Sequence, residues 1–511
     1  MSSMNSNGKP NIVFIVSDQH RGDFMGCAGN RVVLTPNLDR LAEGGVQFTQ
    51  AYCNSPLCVP SRMSMLTGRY PHQTGVFGNS DHLASDIPTF VHGLALGGYE
   101  TVLCGRMHFV GPDQRHGYKH RLVGDITPTY LGGPSTKYGA LKGTSGQGLR
   151  SIETAGPGSS PVQQYDEQVT QSFERFAASR DGSGTDQPLF ITVGLYGPHH
   201  PFISPQVNYE QAVRAMADGD APITLDSLPR HPWHENWFSR LKAEQITPEQ
   251  LTEARANYIG LVNRLDELVG RIVKAAEALP GDTWIVYVSD HGEMAGDKGM
   301  FWKRSFYDGA LRIPMIWHPL RHGGPGGIVR GAKVDTPVSL IDLAPTFLQA
   351  TQSPVPSFLA GNDLSPLLYG RGIEGTVWEN MPPVYSELLT PQDSAIRMVR
   401  QGDNKLIYYH NYLPVQLFDL RTDPHETTNL AESDEYLGLV QKLKGLALQD
   451  WDPDALIASS LRRHEDQAFI AKWGKKVGPD WHEVWNPEDP GGNDPVFETQ
   501  REIAGAKEGQ Q

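Results

Sequence analysis

The chain has few cysteines, no long apolar run and no basic stretch. Its four cysteines, Cys27, Cys53, Cys58 and Cys104, are too few and too unevenly spaced for a disulfide framework, and no Cys-x-x-Cys pair points to zinc. The opening "MSSMNSNGKP" lacks the apolar core of a secretory leader, and no segment is long enough to span a bilayer. These absences set the expectation of a cytoplasmic protein with reduced thiols and no membrane partner. A formal net charge of −14, with no basic run to offset it, argues against nucleic acid. It leaves room for a small anionic substrate, because a local pocket can be basic in an acidic protein.

What is present reads as globular. With 511 residues, 39% hydrophobic and 20% charged, the chain exceeds one simple core. Fifty-four glycines and 38 prolines point to many turns and long functional loops. "NIVFIVSDQ" (11–19), "PLFITVGLYGPHHPF" (188–202) and "DTWIVYVSDHGEM" (282–294) are apolar runs that end abruptly in polar residues, the pattern of parallel strands buried on both faces. "TPNLDRLAEGGVQF" carries Pro36 near a helix start, Leu38 and Leu41 on one face, and a Gly44-Gly45 stop. "EARANYIGLVNRLDELVGRIVKAAEAL" has helical spacing and is long enough to cover a sheet. The alternation predicts an α/β sandwich with a mostly parallel central sheet over residues 1–380. From about Pro383, "PVYSELL", "AIRMVRQGDNKLIYYH" and "VQLFDL" predict a smaller antiparallel subdomain over 381–450, with "QGDN" as a hairpin turn. Residues 451–511 read as a helix followed by an extended tail, "NPEDPGGNDP", of the kind that packs on another subunit of a homo-oligomer.

In open α/β sheets, ligands bind beyond the carboxyl ends of the strands. Asp18, His199 and Asp290 all lie at such ends, and His291 follows Asp290. Hard oxygen ligands with one imidazole suit a divalent cation such as Ca²⁺, Mg²⁺ or Mn²⁺. Either acid alone is equally well explained by turn capping. Cys58, in "NSPLCVPSRMSMLTG", could by itself be a small buried hydrophobe ahead of a helix.

The run Cys58-x-Pro60-Ser61-Arg62, followed by Leu66-Thr67-Gly68, resembles the type I sulfatase signature at every defining position. These enzymes are the formylglycine-dependent members of the alkaline phosphatase superfamily. The resemblance implies that Cys58 is oxidised to formylglycine by a maturation enzyme that reads Pro60 and Arg62. Small organic sulfate monoesters would then be hydrolysed to alcohol and sulfate through a formylglycine-sulfate intermediate. It extends through "GRMHFVGPDQ" (105–114), "GPHHP" (197–201), "SDHGEMAGDKG" (289–299), "WKRSF" (302–306) and "FDLRTDPHETTNLA" (418–431). By position it implies Asp18, Gln19, Asp290 and His291, with the modified Cys58, as ligands of a divalent metal, Ca²⁺ first and Mn²⁺ or Mg²⁺ as alternatives. Arg62 would support the modified residue and the metal site. His108 would take a proton from the second diol hydroxyl, and His199 would protonate the departing alcohol. Asn79, Arg106 and Lys303 would bind the substrate anion. Arg106 stands where most sulfatases have lysine; it keeps the charge but is forked and effectively never neutral. "RMHFVGPDQRHGYKHRLVGDI" is similar to the choline sulfatase branch, which points to choline sulfate or an aryl sulfate. The Asp18-Gln19 pair resembles both the choline sulfatase and the phosphonate monoester hydrolase branches, and a phosphonate monoester or phosphate diester hydrolase is the rival reading. His72, His82, His92 and His116 are expected to be ordinary structural histidines.

Overall fold

The computed structural model describes residues 8–127, 129–133, 146–180, 187–218, 231–321, 327–371, 382–390, 394–479 and 484–485. The "NPEDPGGNDP" tail and the expected boundary near residue 380 lie outside them. No helix among the described residues is long and apolar enough to cross a membrane.

The first apolar run forms the strand Asn11–Asp18, buried along its whole length. Alternate side chains go to opposite faces, so Ile12, Phe14 and Val16 enter one core and Val13 and Ile15 another. This two-sided burial is why the run is continuous rather than alternating. Losing one large member, as in Phe14→Ala, would cost about 3–5 kcal/mol. The strand sits inside a nine-stranded sheet. The main order is Ala332–Val334, Val46–Tyr52, Arg312–Pro319, Thr283–Ser289, Asn11–Asp18, Leu189–Pro198, Glu100–Gly105 and His120–Val123. The last five run parallel, while Arg312–Pro319 is antiparallel to both neighbours. The central sheet is therefore mixed and mostly parallel, as expected.

Two helices show how the layers form. Pro248–Ala276 begins with Pro248 and a reciprocal cap between Thr247 and Gln250. Its first half sends Tyr258, Ile259 and Val262 into one core, and its second half sends Leu265, Leu268 and Ile272 into the other. Cys58–Thr67 is different, because all ten of its residues are buried and no amphipathic stripe marks it. It ends at Gly68, whose φ of 63° terminates the last turn.

Register places the site. Ser17 pairs with Ser289, so Asp18 and Asp290 emerge side by side from adjacent parallel strands. Asp18 pairs with Pro198, which brings in the following His199. The neighbouring strand ends at Gly105 and delivers Arg106 and His108. Gly105 has a φ of 91°, and a Cβ on it would collide with the Gly194 carbonyl; the strands approach there because neither position carries a side chain.

The C-terminal sheet, Val384–Thr390, Ser394–Gln401, Asn404–Tyr409 and Gln416–Asp419, is antiparallel throughout, with Gly402 (φ 61°) in the expected hairpin turn. Its outer face packs Val399, Leu406 and Leu417 against Leu443 and Ala447 of the helix Leu437–Leu448. It is tied to the larger unit by the buried ammonium of Lys405, 2.6 Å from Asp308 Oδ1 and 2.7 Å from Glu426 Oε1. Glu426 also accepts from Asp308 N at 2.7 Å. Removing the one cation leaves buried carboxylates facing each other. Lys405→Met should lower the unfolding free energy by about 3–5 kcal/mol. The exposed Lys274–Glu277 pair offers the control, since Lys274→Met should cost under about 1 kcal/mol in the same denaturant titration.

Candidate active site

Four strand ends and the start of one buried helix converge on Cys58, whose side chain is 1% exposed. Its Sγ lies 2.9 Å from Lys303 Nζ, 3.3 Å from His291 Nε2 and 3.7 Å from Asp18 Oδ1. As the first residue of its helix, Cys58 sits at an end where backbone N–H groups attract negative charge. Ligand atoms of Asp18, Cys58, Asp290 and His291 all lie within 4.8 Å of one another.

The carboxylates are held from behind. Arg62 Nε donates to Asp290 Oδ2 at 2.8 Å, and its Nη2 to Asp18 Oδ2 at 3.2 Å. Arg106 Nε donates to the same Asp18 oxygen at 2.7 Å. Burial pushes the Asp18 carboxyl up, but Arg106, His199, Lys303 and Arg62 together hold it well below the usual carboxylate range. With both Oδ2 atoms engaged, the Oδ1 atoms face His291 Nε2, at 3.7 Å from Asp18 and 3.6 Å from Asp290. His291 Nδ1 donates to the Gly292 carbonyl at 2.9 Å, which leaves the Nε2 lone pair toward the carboxylates.

Gln19 completes the set. Its Nε2 donates to Glu293 Oε2, while its buried Oε1 has no hydrogen-bond partner. A buried amide oxygen is left without a partner only at a cost, unless a ligand takes it up. A buried amide oxygen without a partner, on a residue whose backbone N–H donates to Asp290 Oδ1 at 3.0 Å, fits a further oxygen ligand for a divalent cation at a cluster of two carboxylates and an imidazole lone pair. Glu293 is anchored by accepting from Ala295 N at 2.9 Å and from Trp302 N, and burial raises its carboxyl above the ordinary range.

Arg106 turns its donors into the protein. Besides Asp18, it reaches Asp125 Oδ1 and Thr127 Oγ1 at 3.3 Å each and donates to His108 Nδ1 at 2.8 Å. Its guanidinium also lies over the Tyr196 ring at 4.4 Å. Burial lowers its pKa, but Asp18 and Asp125 outweigh this and raise it well above the ordinary value. The bond to Nδ1 leaves the neutral His108 ring with its proton on Nε2. Burial and the Arg106 charge lower the His108 pKa. His199 donates from Nδ1 to the His200 carbonyl at 2.5 Å, so its Nε2 carries the lone pair. Its pKa is lowered well below the ordinary value by burial and then by His200 and Lys303. Asn79 Oδ1 accepts from Val59 N at 3.1 Å, which leaves its NH₂ as the group available to substrate.

Above this floor opens a cleft of about 330 Å³. Asn79, His199 and Lys303 line it as expected, and so does His200, whose ring stacks on His199 at 3.9 Å. Trp237, Leu241 and Arg304 line it too, and sequence reading did not single them out. Glu293 and Asp125 were also missed. Glu293 lies in the same "SDHGEM" run as the ligands, so a third acid there was the available signal. Asp125 and Trp237 carry no local signal. His72 pairs instead with Glu387 at 2.8 Å, and His92 caps its own helix at Thr89.

The sulfatase family model matches residues 10–353, and a model of the N-sulphoglucosamine sulphohydrolase C-terminal region matches residues 296–450. A choline-sulfatase of Rhizobium meliloti is 32% identical over 479 residues, covering 88% of this chain and 89% of that protein. An arylsulfatase of Clostridium perfringens is 28% identical over 483 residues, covering 86% and 94%. The crystal structure of a phosphonate monoester hydrolase of Agrobacterium radiobacter matches with a TM-score of 0.68 at 26% identity, over 89% of this chain and 96% of that one. With the family model running from the first strand past the Lys303 loop, and a 32% identical relative along most of the chain, this protein belongs to the sulfatase family of sulfate-ester hydrolases.

Proposed function

We propose that the protein hydrolyses small organic sulfate monoesters, with residue 58 in its formylglycine form and a divalent cation on Asp18, Gln19, Asp290 and His291. The observation that carries this reading is the position of Cys58 Sγ, between Lys303 Nζ at 2.9 Å and His291 Nε2 at 3.3 Å. That sulfur stands in for a hydroxyl oxygen of the formylglycine hydrate. The modified residue would supply one hydroxyl to attack sulfur and a second for releasing sulfate, and the bound cation would make the attacking hydroxyl more acidic. Maturation by a formylglycine-generating enzyme, a cytoplasmic setting and a homo-oligomer belong to the same reading. Exposed Phe469, Trp473 and Val477 on the helix Pro453–Val477 support the oligomer.

The chain's own groups divide the work. Lys303, the Asn79 NH₂ and the helix start at Cys58 hold the anion where charge develops. His199, once it has taken up a proton at Nε2, gives it to the departing alcohol oxygen. Arg106 acts through others, as a positioning residue for Asp18 and His108. His108 enters with its proton on Nε2, as a donor toward residue 58; the base role that the resemblance assigns it requires Nε2 to be free of that proton.

Among the described residues lining the cleft, Trp237 is the one aromatic side chain other than histidine and none is a carboxylate. A quaternary ammonium is recognised by aromatic faces and a counter-charge, so the lining favours an aryl or other non-cationic alcohol over choline. The second reading, a phosphonate monoester hydrolase, is supported by the similarity to the Agrobacterium enzyme.

On protein whose Cys58 conversion is verified by mass, an aryl sulfate should exceed the matching aryl phosphonate monoester in kcat/KM; a clear lead for the phosphonate would select the second reading. His199→Ala should reduce turnover of alkyl sulfates by about 100- to 10,000-fold. The same variant should cost far less with 4-nitrophenyl sulfate, whose leaving group needs no proton. Glu293→Gln, which removes the anchor of the Gln19 amide, should weaken metal retention about 10- to 100-fold in a competitive chelator titration followed by elemental analysis.

A further inference from the structure

Arg304 sits one residue beyond the lysine that touches Cys58 and lines the same cleft. Its backbone N–H donates to the Pro56 carbonyl at 3.1 Å, which fixes where the residue stands. Its guanidinium, half-buried, has no carboxylate and no side-chain hydrogen-bond partner among the described residues. The contrast with its neighbours is sharp. Arg62 and Arg106, buried beneath the site, each hold buried carboxylates. A forked, always-charged group partly withdrawn from water without a partner costs free energy unless an anion completes it. The backbone adds a second cost, because Arg304 has a φ of 72°, a left-handed conformation that non-glycine residues adopt rarely and that Gln19, His108 and Trp302 of the same site share.

The rest of the wall says what lies beside that anion. Trp237 is set edge-on by the Trp302 ring, with centroids 6.1 Å apart at 87°, and Trp302 is itself pinned by its Nε1 donating to Ser151 Oγ at 2.9 Å. Leu241 continues the same apolar surface. Lys303 is already committed to Cys58, so the anion that reacts there does not require Arg304.

We propose that Arg304 receives a second anionic group, a carboxylate or a second sulfate, on the alcohol half of the ester, with the alcohol's apolar face against Trp237 and Leu241. This rests on the sulfate-ester reading above and narrows it to substrates with an anionic alcohol. A carboxylate suits the site through two parallel N–H···O bonds, and a second sulfate can be gripped in the same way.

The test compares three aryl sulfates whose phenols have nearly the same acidity: phenyl sulfate, 3-carboxyphenyl sulfate and 3-[2-(trimethylammonio)ethyl]phenyl sulfate, with phenyl 1,3-bis-sulfate as the tetrahedral anion. On converted protein, kcat/KM should rank both doubly anionic esters above the neutral ester and the cationic ester last. Arg304→Met should shrink the preference for the carboxylate over the neutral ester by about 10- to 100-fold. Arg304→Lys should recover part of it, which a merely misfolded site would not do. Competitive inhibition by 3-hydroxybenzoate should exceed that by phenol and lose its advantage in Arg304→Met. An equal loss on the neutral and carboxylated esters in Arg304→Met, or a lead for the cationic ester in the unsubstituted protein, would overturn the proposal. If phosphonate esters are turned over and sulfates are not, the sulfate reading fails by itself. The same carboxylated and neutral pair made as phosphonate monoesters then decides the role of Arg304: a preference erased in Arg304→Met supports it, and no preference overturns it.

Discussion

Two carboxylates emerging side by side from adjacent parallel strands, with no water to screen them, are the constraint on which this structure depends. Asp18 and Asp290 are both fully buried. Like charges so placed destabilise each other unless cations surround them. Arg62 is the first answer, because it reaches the far oxygens of both at once. It can do so only from a helix that is buried on every side. The four-residue spacing from Cys58 to Arg62 follows from this, since i and i+4 share one helix face. The cysteine stands at the helix start facing the cleft, and the arginine lies one turn deeper under the acids. The spacing that marks the sequence is thus the pitch of a helix whose two functions differ by depth.

Around that pair the supporting groups form layers of charge and hydrogen bonding. Arg106 neutralises Asp18 from a second side and passes its remaining contacts to Asp125 and His108. Asp125 returns to the same loop by accepting from His108 N at 2.8 Å. Glu293 orients Gln19 and the backbone of Trp302, linking that buried amide to the segment that carries Lys303 and Arg304. That segment ends at Asp308, where Lys405 of the C-terminal sheet and Glu426 of the loop that follows it tie it down. Gln19, His108, Trp302 and Arg304 all hold φ between 60° and 72°. Left-handed backbone at non-glycine positions costs on the order of 1–3 kcal/mol each and persists where the surroundings over-determine it. The C-terminal sheet therefore serves the site although, among the described residues, it contributes none to the cleft.

Arginine replacing lysine at position 106 becomes intelligible in these terms. A lysine offers three donors from one point, whereas the guanidinium spans Asp18, Asp125, Thr127 and His108 together. Its charge is spent on the frame, leaving Lys303 and Arg304 as the cations that line the cleft.

The sequence by itself determined the sandwich and the chemical centre. Continuous apolar runs such as 11–19 and 282–294 can be satisfied only between two covered faces, and the run from Cys58 to Gly68 is long and specific enough to be read without a structure. Asp18 and Asp290 were legible as candidate ligands for the same reason, since each stands where an apolar run stops. The antiparallel Arg312–Pro319 strand and the short His120–Val123 edge strand were not read, because strand direction and edge position arise from pairing and not from a run's own residues. Only the tertiary structure decided which side chains share the cleft. Gln19 and Glu293 meet across 274 positions, and Trp237 comes from a helix with no marker of chemistry. Such contacts depend on how distant segments pack, and periodicity and motif spacing report only on neighbours along the chain. Arg304 is the plainest case. In the sequence it is one arginine beside a lysine; in the fold, among the described residues, its charge lacks the carboxylate that Arg62 and Arg106 have, and that difference exists only in three dimensions.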